Sequence, residues 1–185
     1  MKKIFELVKS DYQRYTGNRG GVIKIIQYLL FSRNHCFNYT FWLRFCNRRN
    51  PLFMIALLMH KRLTVKYGIQ IPRNTKIGYG FYIGHGIGIV INPTTIIGNN
   101  CNISQFTTIG SNDGNAAVIG DNVYIGPSVC IVENVKIGNN VTIGAGSVVT
   151  RDIPENATVA GVPSRILNYN NPGRYISNRY NYTEQ

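Results

Sequence analysis

Several features of exported and membrane-embedded proteins are missing from this chain. Its first residues run directly into Glu6 and Asp11, so the apolar core of a signal peptide is absent. The longest apolar run, Leu52–Met59, covers eight residues, which is too short to cross a bilayer. At 185 residues the chain is long enough for one compact body with a small appended part. We therefore expect a cytoplasmic protein without a transmembrane helix.

Cysteine patterns typical of metal sites and disulfide frameworks are also missing. The four cysteines (Cys36, Cys46, Cys101 and Cys130) show no CxxC spacing. Neither a bound metal nor a disulfide is predicted, and Cys101 is best explained as a small interior residue.

Acidic residues are scarce, and the resulting positive charge is unevenly placed. Eight acids face 20 Lys and Arg residues, a net charge of +12. Residues 1–66 hold thirteen basic and two acidic side chains, whereas residues 67–185 hold seven and six. Such a segment is either a solvated face or a surface for an anionic membrane or glycan. No nucleic-acid-binding module accompanies the charge, so nucleic acid is not an expected partner. A membrane role would place the protein peripherally at the inner membrane face.

The central part of the chain carries a six-residue repeat. Aliphatic anchors recur at Ile71, Ile77, Ile83, Ile91, Ile97, Ile103, Ile109, Ile119, Ile125, Ile131, Ile137, Ile143 and Val149. Neither the helical period of 3.6 nor the strand period of 2 makes this pattern, which is typical of a hexapeptide β-solenoid. The prediction is a left-handed parallel β-helix of roughly four three-sided coils, stacked at about 4.8 Å. Glycine follows most anchors, and we expect it to allow positive φ or another tight backbone conformation at the corners.

The repeat is interrupted twice, and insertions in a solenoid project as loops that can form sites. The first interruption follows Ile83 and contains Gly84-His85-Gly86-Ile87-Gly88. The second follows Ile109 and contains the polar stretch 111–115. Functional residues are expected in these two loops.

The ends of the chain predict a cap and a tail. Residues 1–66 favour four helices at about 2–15, 21–32, 36–47 and 51–66, which would cover the first coil and its unpaired strand edges. Residues 67–166 form the β-helix domain, and residues 167–185 form a tail that either folds over a neighbour or frays.

Several motifs together resemble the hexapeptide-repeat acyltransferases, in the serine O-acetyltransferase-like branch that also includes capsular and exopolysaccharide O-acetyltransferases. The resemblance covers roughly residues 60–167. It rests on the stretch from Lys76 through the His85 loop, on residues 105–110 and 143–149, and on the closing Ala160-Gly161-Val162-Pro163-Ser164-Arg165-Ile166.

The resemblance implies that His85 is the catalytic base. An acetyl transfer from a thioester to a hydroxyl requires a base, and imidazole titrates near working pH. His85 is the only histidine in the repeats, and two glycines flank it. The other two, His35 and His60, lie in the predicted cap and are expected to be structural. One histidine is too few for the zinc site of γ-type carbonic anhydrases, which share this fold.

Three departures from serine acetyltransferases affect the expected acceptor. The family's Asp that pairs with the base is Gln70 here, and its Asp immediately before the base is Gly84. Its Arg-His pair is replaced by Asn115-Ala116. These losses remove charges that would bind a free amino acid, so we expect a neutral sugar hydroxyl as the acceptor. Candidate sugar contacts, with a solvated loop as the alternative, are Asn92, Gln105, Asn112 and Asp113.

For the donor, the resemblance implies acetyl-CoA in a groove between neighbouring solenoids of a homotrimer. The pantetheine arm would pass corner residues, and the phosphates would meet two arginines, whose forked guanidinium matches phosphate oxygens. The residues so implied are Gly110, Pro127, Gly144, Ala145, Arg151 and Arg165.

The sequence thus predicts an acetyl-CoA-dependent O-acetyltransferase acting on a sugar in surface polysaccharide biosynthesis. Two alternatives remain open: a serine O-acetyltransferase of cysteine biosynthesis, and a non-catalytic solenoid scaffold.

Overall fold

The computed structural model describes residues 1–47, 49–112 and 114–182. Four helices come first: α1 (Lys2–Thr16), α2 (Val22–Phe31), α3 (His35–Cys46) and α4 (Phe53–Tyr67). Fourteen short strands follow: β1 (Lys76–Ile77), β2 (Tyr82–Gly84), β3 (Val90–Ile91), β4 (Ile96–Ile97), β5 (Asn102–Ser104), β6 (Thr108–Ile109), β7 (Val118–Ile119), β8 (Tyr124–Ile125), β9 (Cys130–Ile131), β10 (Lys136–Ile137), β11 (Thr142–Ile143), β12 (Val148–Val149), β13 (Thr158–Ala160) and β14 (Arg165–Asn168).

The strands build three parallel sheets, which are the sides of a prism. Face 1 has the order β1-β4-β7-β10, and face 3 has the order β12-β9-β6-β3. Face 2 has the order β14-β13-β11-β8-β5-β2, in which β14 alone runs antiparallel to its neighbour. The anchors pair in register from coil to coil, as Ile83 does with Ile103 and Ile103 with Ile125. The predicted left-handed parallel β-helix is confirmed.

The anchors and the small or β-branched residues four positions after them fill the interior of the prism. Ile83, Ile103, Ile109 and Ile125 are each at most 1% exposed. Cys101, predicted as an interior residue, is fully buried. Stacked β-branched side chains suit the short strands because they pack closely on a pleated surface.

The glycines after the anchors have a different role from the one predicted. Positive φ occurs two residues further on, at Asn100 (54°), Asn122 (56°) and Asn140 (58°). The glycines themselves allow the coils to approach each other. A Cβ on Gly98 would lie 2.5 Å from the Gly120 carbonyl oxygen, and one on Gly126 would lie 2.8 Å from that of Ile143. Asparagine takes the left-handed corner because its short polar side chain tolerates that conformation.

A buried ion pair attaches the helical cap to the first coil. Arg44 of α3 donates to both carboxylate oxygens of Asp11 in α1, at 2.8 and 2.9 Å. The same guanidinium donates to the carbonyls of Ile77 and Gly78, and Asp11 accepts from the Phe81 amide at 2.8 Å. Because both charges are buried and fully hydrogen-bonded, the pair fixes how the cap sits on the solenoid.

Residues 169–182 of the C-terminal tail pack on their own chain instead of fraying, while residues 183–185 lie outside the described residues. That the tail folds over a neighbour stays a prediction. After β14 it runs back along face 2, where Tyr175 packs on Tyr124 with ring centroids 5.0 Å apart. It ends beside the first two coils: the Tyr180 amide donates to Asn100 Oδ1 of the second coil at 2.8 Å, and the Tyr180 ring stacks on Tyr79 of the first coil. Face 2 is therefore covered, whereas outward apolar residues of the other faces, such as Val90 and Val118, remain exposed.

Candidate functional site

His85 lies at the corner where the chain leaves face 2 for face 3, directly after β2. It is exposed and has a φ of 51°, in the left-handed region. Non-glycine residues seldom adopt this conformation, although histidine does so more often than most. The same left-handed conformation recurs at other corners of the solenoid, such as Asn100 and Phe106, so it belongs to the corner, and here it leaves the imidazole exposed outside the prism.

The loop beneath His85 is held by the helical cap. The Gly86 amide donates to Cys36 Sγ at 3.1 Å, and the Gly86 carbonyl lies 3.0 Å from His35 Nε2. The His35 ring in turn stacks on Tyr67, with centroids 4.3 Å apart. A Cβ on Gly86 would lie 2.9 Å from Ile69 Cδ1 and 3.1 Å from Cys36 Sγ, so a larger residue would force these side chains to shift. Two adjacent residues at the start of α3 thus fix the residue that follows the proposed base.

A second contact holds the strand before His85. The Tyr15 hydroxyl accepts from the Ile83 amide at 2.9 Å and donates to the Ile83 carbonyl at 3.3 Å. Burial raises the pKa of Tyr15 well above its usual value, and burial also raises the pKa of the Cys36 thiol. Both groups therefore stay protonated, and Cys36 acts as a hydrogen-bonding partner instead of a nucleophile.

Half of the predicted site residues, His85 included, lie along one corner, which we call the first edge (between faces 2 and 3). Gly84 pairs with Ser104, and the register continues through β8, β11 and β13. The residues two positions after the paired anchors of these strands therefore form one row: His85, Gln105, Pro127, Ala145 and Gly161. At about 4.8 Å per coil the row is roughly 19 Å long. Gly144 precedes Ala145 at this corner, and Arg165 pairs with Ala160 at its far end.

Four other predicted residues lie on a different corner, which we call the second edge (between faces 3 and 1): Asn92, Gly110, Asn112 and Arg151. Asn92 and Gly110 follow the paired strands β3 and β6, and Arg151 lies two residues beyond β12. The exposed Asn112 belongs to the loop that starts here. Asp113 lies outside the described residues. Within one chain, then, face 3 separates these residues from His85.

Two of the predicted sugar contacts, Gln105 and Asn92, differ in whether the side-chain oxygen already accepts a hydrogen bond. Gln105 Oε1 is buried and has no hydrogen-bond partner among the described residues, and its residue adjoins His85 on the first edge. Asn92 is engaged in its own turn, where its Oδ1 accepts from the Thr94 amide at 3.0 Å and from the Thr94 hydroxyl at 2.8 Å. Gln105 is thus the better placed of the two to receive a ligand.

Gln70 is near the His85 loop but does not orient the imidazole. It forms an isolated parallel bridge with Val90 at the start of face 3, and its backbone N–H donates to the Ile89 carbonyl at 2.6 Å. No hydrogen bond joins its side chain to His85 within the described part of the chain. Sequence reasoning instead missed His35 and Cys36, which hold the loop from about fifty residues away. Nothing in their spacing indicates this contact.

No group of three His, Cys, Asp or Glu side chains among the described residues is arranged to hold a metal ion. None of the helices described is long and apolar enough to span a bilayer.

Comparisons with known proteins agree on one family. The family described as bacterial transferase hexapeptide (six repeats) matches residues 116–151. A serine acetyltransferase of Synechococcus elongatus is 34% identical over 172 residues, covering 89% of this chain and 69% of that protein. Serine acetyltransferase 3, mitochondrial, of Arabidopsis thaliana is 40% identical over 118 residues, covering 62% of this chain and 30% of that protein. The chain therefore spans about two thirds of one relative and under a third of the other.

Solved structures give the same answer. The serine acetyltransferase of Neisseria gonorrhoeae in complex with serine superposes with a TM-score of 0.74 at 30% identity, covering 89% of this chain and 69% of that chain. A serine acetyltransferase in complex with CoA superposes with a TM-score of 0.73 at 28% identity, covering 90% of this chain and 70% of that chain.

Proposed function

The chain belongs to the serine acetyltransferase family, and from this premise we propose that it transfers the acetyl group of acetyl-CoA to the hydroxyl of L-serine. The prediction of an O-acetyltransferase is confirmed at the level of the family. The observation that carries the proposal is the exposed imidazole of His85, held on an inserted loop at the start of the first edge.

The predicted sugar acceptor of surface polysaccharide biosynthesis is wrong. The relatives at 34–40% identity and the structural neighbours are serine acetyltransferases, so the comparisons favour serine, which the sequence had left as the alternative. The inference from Gln70, Gly84 and Asn115-Ala116 failed because it treated three missing charges as a missing acceptor site. Neutral amides and backbone groups can also bind an ammonium or a carboxylate.

His85 is proposed as the general base. A ring nitrogen of the imidazole takes the hydroxyl proton of serine while that oxygen attacks the thioester carbonyl carbon. The new C–O bond forms, the C–S bond breaks, and the proton passes to the departing CoA sulfur. The cap contacts through Gly86 support this role, because a base must be held in position to act.

Acetyl-CoA is proposed to lie along the first edge. The row from His85 past Pro127 and Gly144-Ala145 leads to Arg165, whose guanidinium would meet a phosphate at the far end. Gly110 and Arg151 are proposed to act from the second edge of a neighbouring copy, because face 3 separates them from His85 in their own chain. A homotrimer, typical of this family, would bring the two kinds of edge together.

The acceptor is proposed to bind beside His85, where the buried Gln105 amide oxygen, unpartnered among the described residues, would accept from the serine ammonium once its side chain turns toward the site. Asn112 and Asp113 of the second loop, together with Asn92, are proposed to approach from the neighbouring copy, and Gln70 to border the site on face 3. The reaction is proposed to take place in the cytoplasm.

The test is the release of CoA from acetyl-CoA by the purified protein with L-serine as the acceptor. His85→Ala should lower kcat by roughly 10²–10⁴, the usual contribution of a general base, with little change in acetyl-CoA binding. Activity within about tenfold of wild type would remove His85 as the base.

A separate measurement tests whether L-serine is the acceptor. The rate with wild-type protein should rise and saturate with L-serine. A background rate that L-serine does not increase would refute serine as the acceptor, whatever the His85 result.

A further inference from the structure

The second helix of the cap presents apolar side chains to solvent. Within α2, only Ile25 is buried, and Tyr28 and Leu29 pack partly against the core. The opposite side carries Ile23, Leu30 and Phe31, which are 74%, 69% and 80% exposed, and also Val22 and Ile26. A helix on a water-facing surface normally carries polar residues there. The exposed apolar residues of α2 (Val22, Ile23, Ile26, Leu30 and Phe31) are called the α2 face below.

The fourth helix has the same character. Ala56 and Leu63 of α4 are buried, while Met54, Ile55, Leu58 and Val65 are exposed. Both helices therefore carry exposed apolar side chains, and a contiguous apolar patch such as the α2 face is typical of an interaction site.

The charge around this surface has one sign. Arg19, Lys24 and Arg33 flank the α2 face and are exposed, as are Lys61, Arg62 and Lys66 on α4. No Asp or Glu occurs anywhere between Asp11 and Asp113, a stretch that holds twelve Lys and Arg residues. The described residues contain two salt bridges, and both use acids of α1. The charges beside the α2 face are thus without an acidic partner in the described structure.

We propose that the α2 face is a docking surface for an anionic phospholipid bilayer. Apolar side chains would enter the boundary between headgroups and acyl chains, and the flanking Arg and Lys side chains would meet the phosphates. Amphipathic helices that lie in a membrane surface combine these same two features. The proposal goes beyond the acetyl transfer and does not depend on the identity of the acceptor.

A second copy of the chain is a poorer partner for this face. Pairing two α2 faces would bring Arg19, Lys24 and Arg33 against the same residues of the other copy. With no acid on this surface, the juxtaposed like charges would oppose association. An anionic bilayer supplies both the apolar interior and the missing negative charge.

The test is co-sedimentation of the full-length protein with vesicles of phosphatidylcholine, with and without phosphatidylglycerol. We expect binding to the anionic vesicles only. Binding should weaken between 0.1 M and 1 M salt, as the Debye length falls from about 10 Å to about 3 Å. Leu30→Ser should lower the partition coefficient roughly tenfold or more, because it removes a large apolar side chain from the membrane. Lys24→Gln should lower it roughly fivefold.

The chain offers a matched control for the apolar substitution. Leu167 in β14 is 61% exposed, close to Leu30, but lies far from the cap along the chain. Leu167→Ser should sediment like wild type. The proposal is overturned if the protein ignores anionic vesicles, or if both leucine variants lose binding equally. It is also overturned if light scattering shows self-association that Leu30→Ser abolishes, since the occupant would then be a second copy.

Discussion

Replacing His35 tests whether the cap positions the proposed base. His35 lies on α3, and its Nε2 is 3.0 Å from the Gly86 carbonyl while its ring stacks on Tyr67 at 4.3 Å. His35→Ala removes both contacts and leaves the Cys36–Gly86 hydrogen bond in place. The residue next to the proposed base would then lose one of its two anchors.

The expected losses of stability and of kcat follow from the two contacts that His35→Ala removes. A hydrogen bond contributes about 0.5–1.5 kcal/mol, and a stacked ring pair contributes about 0.5–1.5 kcal/mol. The free energy of unfolding should therefore fall by roughly 1–3 kcal/mol. A misplacement of about 1 Å at a reacting group can lower a rate by about 10²-fold. We therefore expect kcat to fall roughly 10- to 100-fold while the KM for acetyl-CoA stays close to wild type.

His60 provides the matched control. It also lies in the cap, with its Nε2 3.0 Å from the Tyr39 hydroxyl and its ring 5.1 Å from that of Tyr39. No hydrogen bond or ring contact joins His60 to the His85 loop in the described structure, so His60→Ala should cost similar stability and spare kcat. His35→Phe, which keeps an aromatic ring on Tyr67, should recover stability more than kcat. Equal kcat losses in the two alanine variants would refute a positioning role for His35.

Three further outcomes follow from the fold. Gly98→Ala should lower the free energy of unfolding by roughly 1–3 kcal/mol, because its Cβ would meet the next coil, whereas Gly110→Ala, with open space around its Cβ, should be nearly neutral in thermal melts. Asp11→Asn should cost about 3–5 kcal/mol by leaving Arg44 buried without its counter-charge, and a denaturant midpoint close to wild type would contradict this. In the native protein a thiol reagent should modify Cys130 alone, because the other three cysteines are buried and burial raises their pKa values; prompt reaction of a second thiol would be the contrary result.

The solenoid could be predicted from the sequence because each anchor repeats one local requirement. The side chain of Ile103 packs in the prism interior between Ile83 of the coil before it and Ile125 of the coil after it. Because every coil needs an apolar residue at this position, the six-residue spacing is visible in the sequence. The role of the glycines could not be read in the same way. The need for glycine at position 98 arises from the carbonyl of Gly120 in the next coil, a contact between coils that local backbone preference does not reveal.

The candidate site was predictable only in part, for a similar reason. The inserted loop marks His85, and the strand register explains why Gln105 and Ala145 fall on its edge. The support from His35 and Cys36 depends on how α3 docks, which is set by long-range packing and the buried Asp11–Arg44 pair. The acceptor was predicted wrongly because the loss of charged residues does not show whether neutral groups bind the amino acid instead.

The path of the tail changes how the solenoid should come apart. Stacked repeats are in general a one-dimensional array, which can fray from either end while the middle stays folded. Here the chain that leaves the last coil is tied to the second coil at Asn100, to the first coil through the stacking of Tyr180 on Tyr79, and to α1, where Arg14 donates to the Ser177 carbonyl. The tail thus links the last coil to the first coils and the cap, and we expect the solenoid to unfold in a single cooperative step.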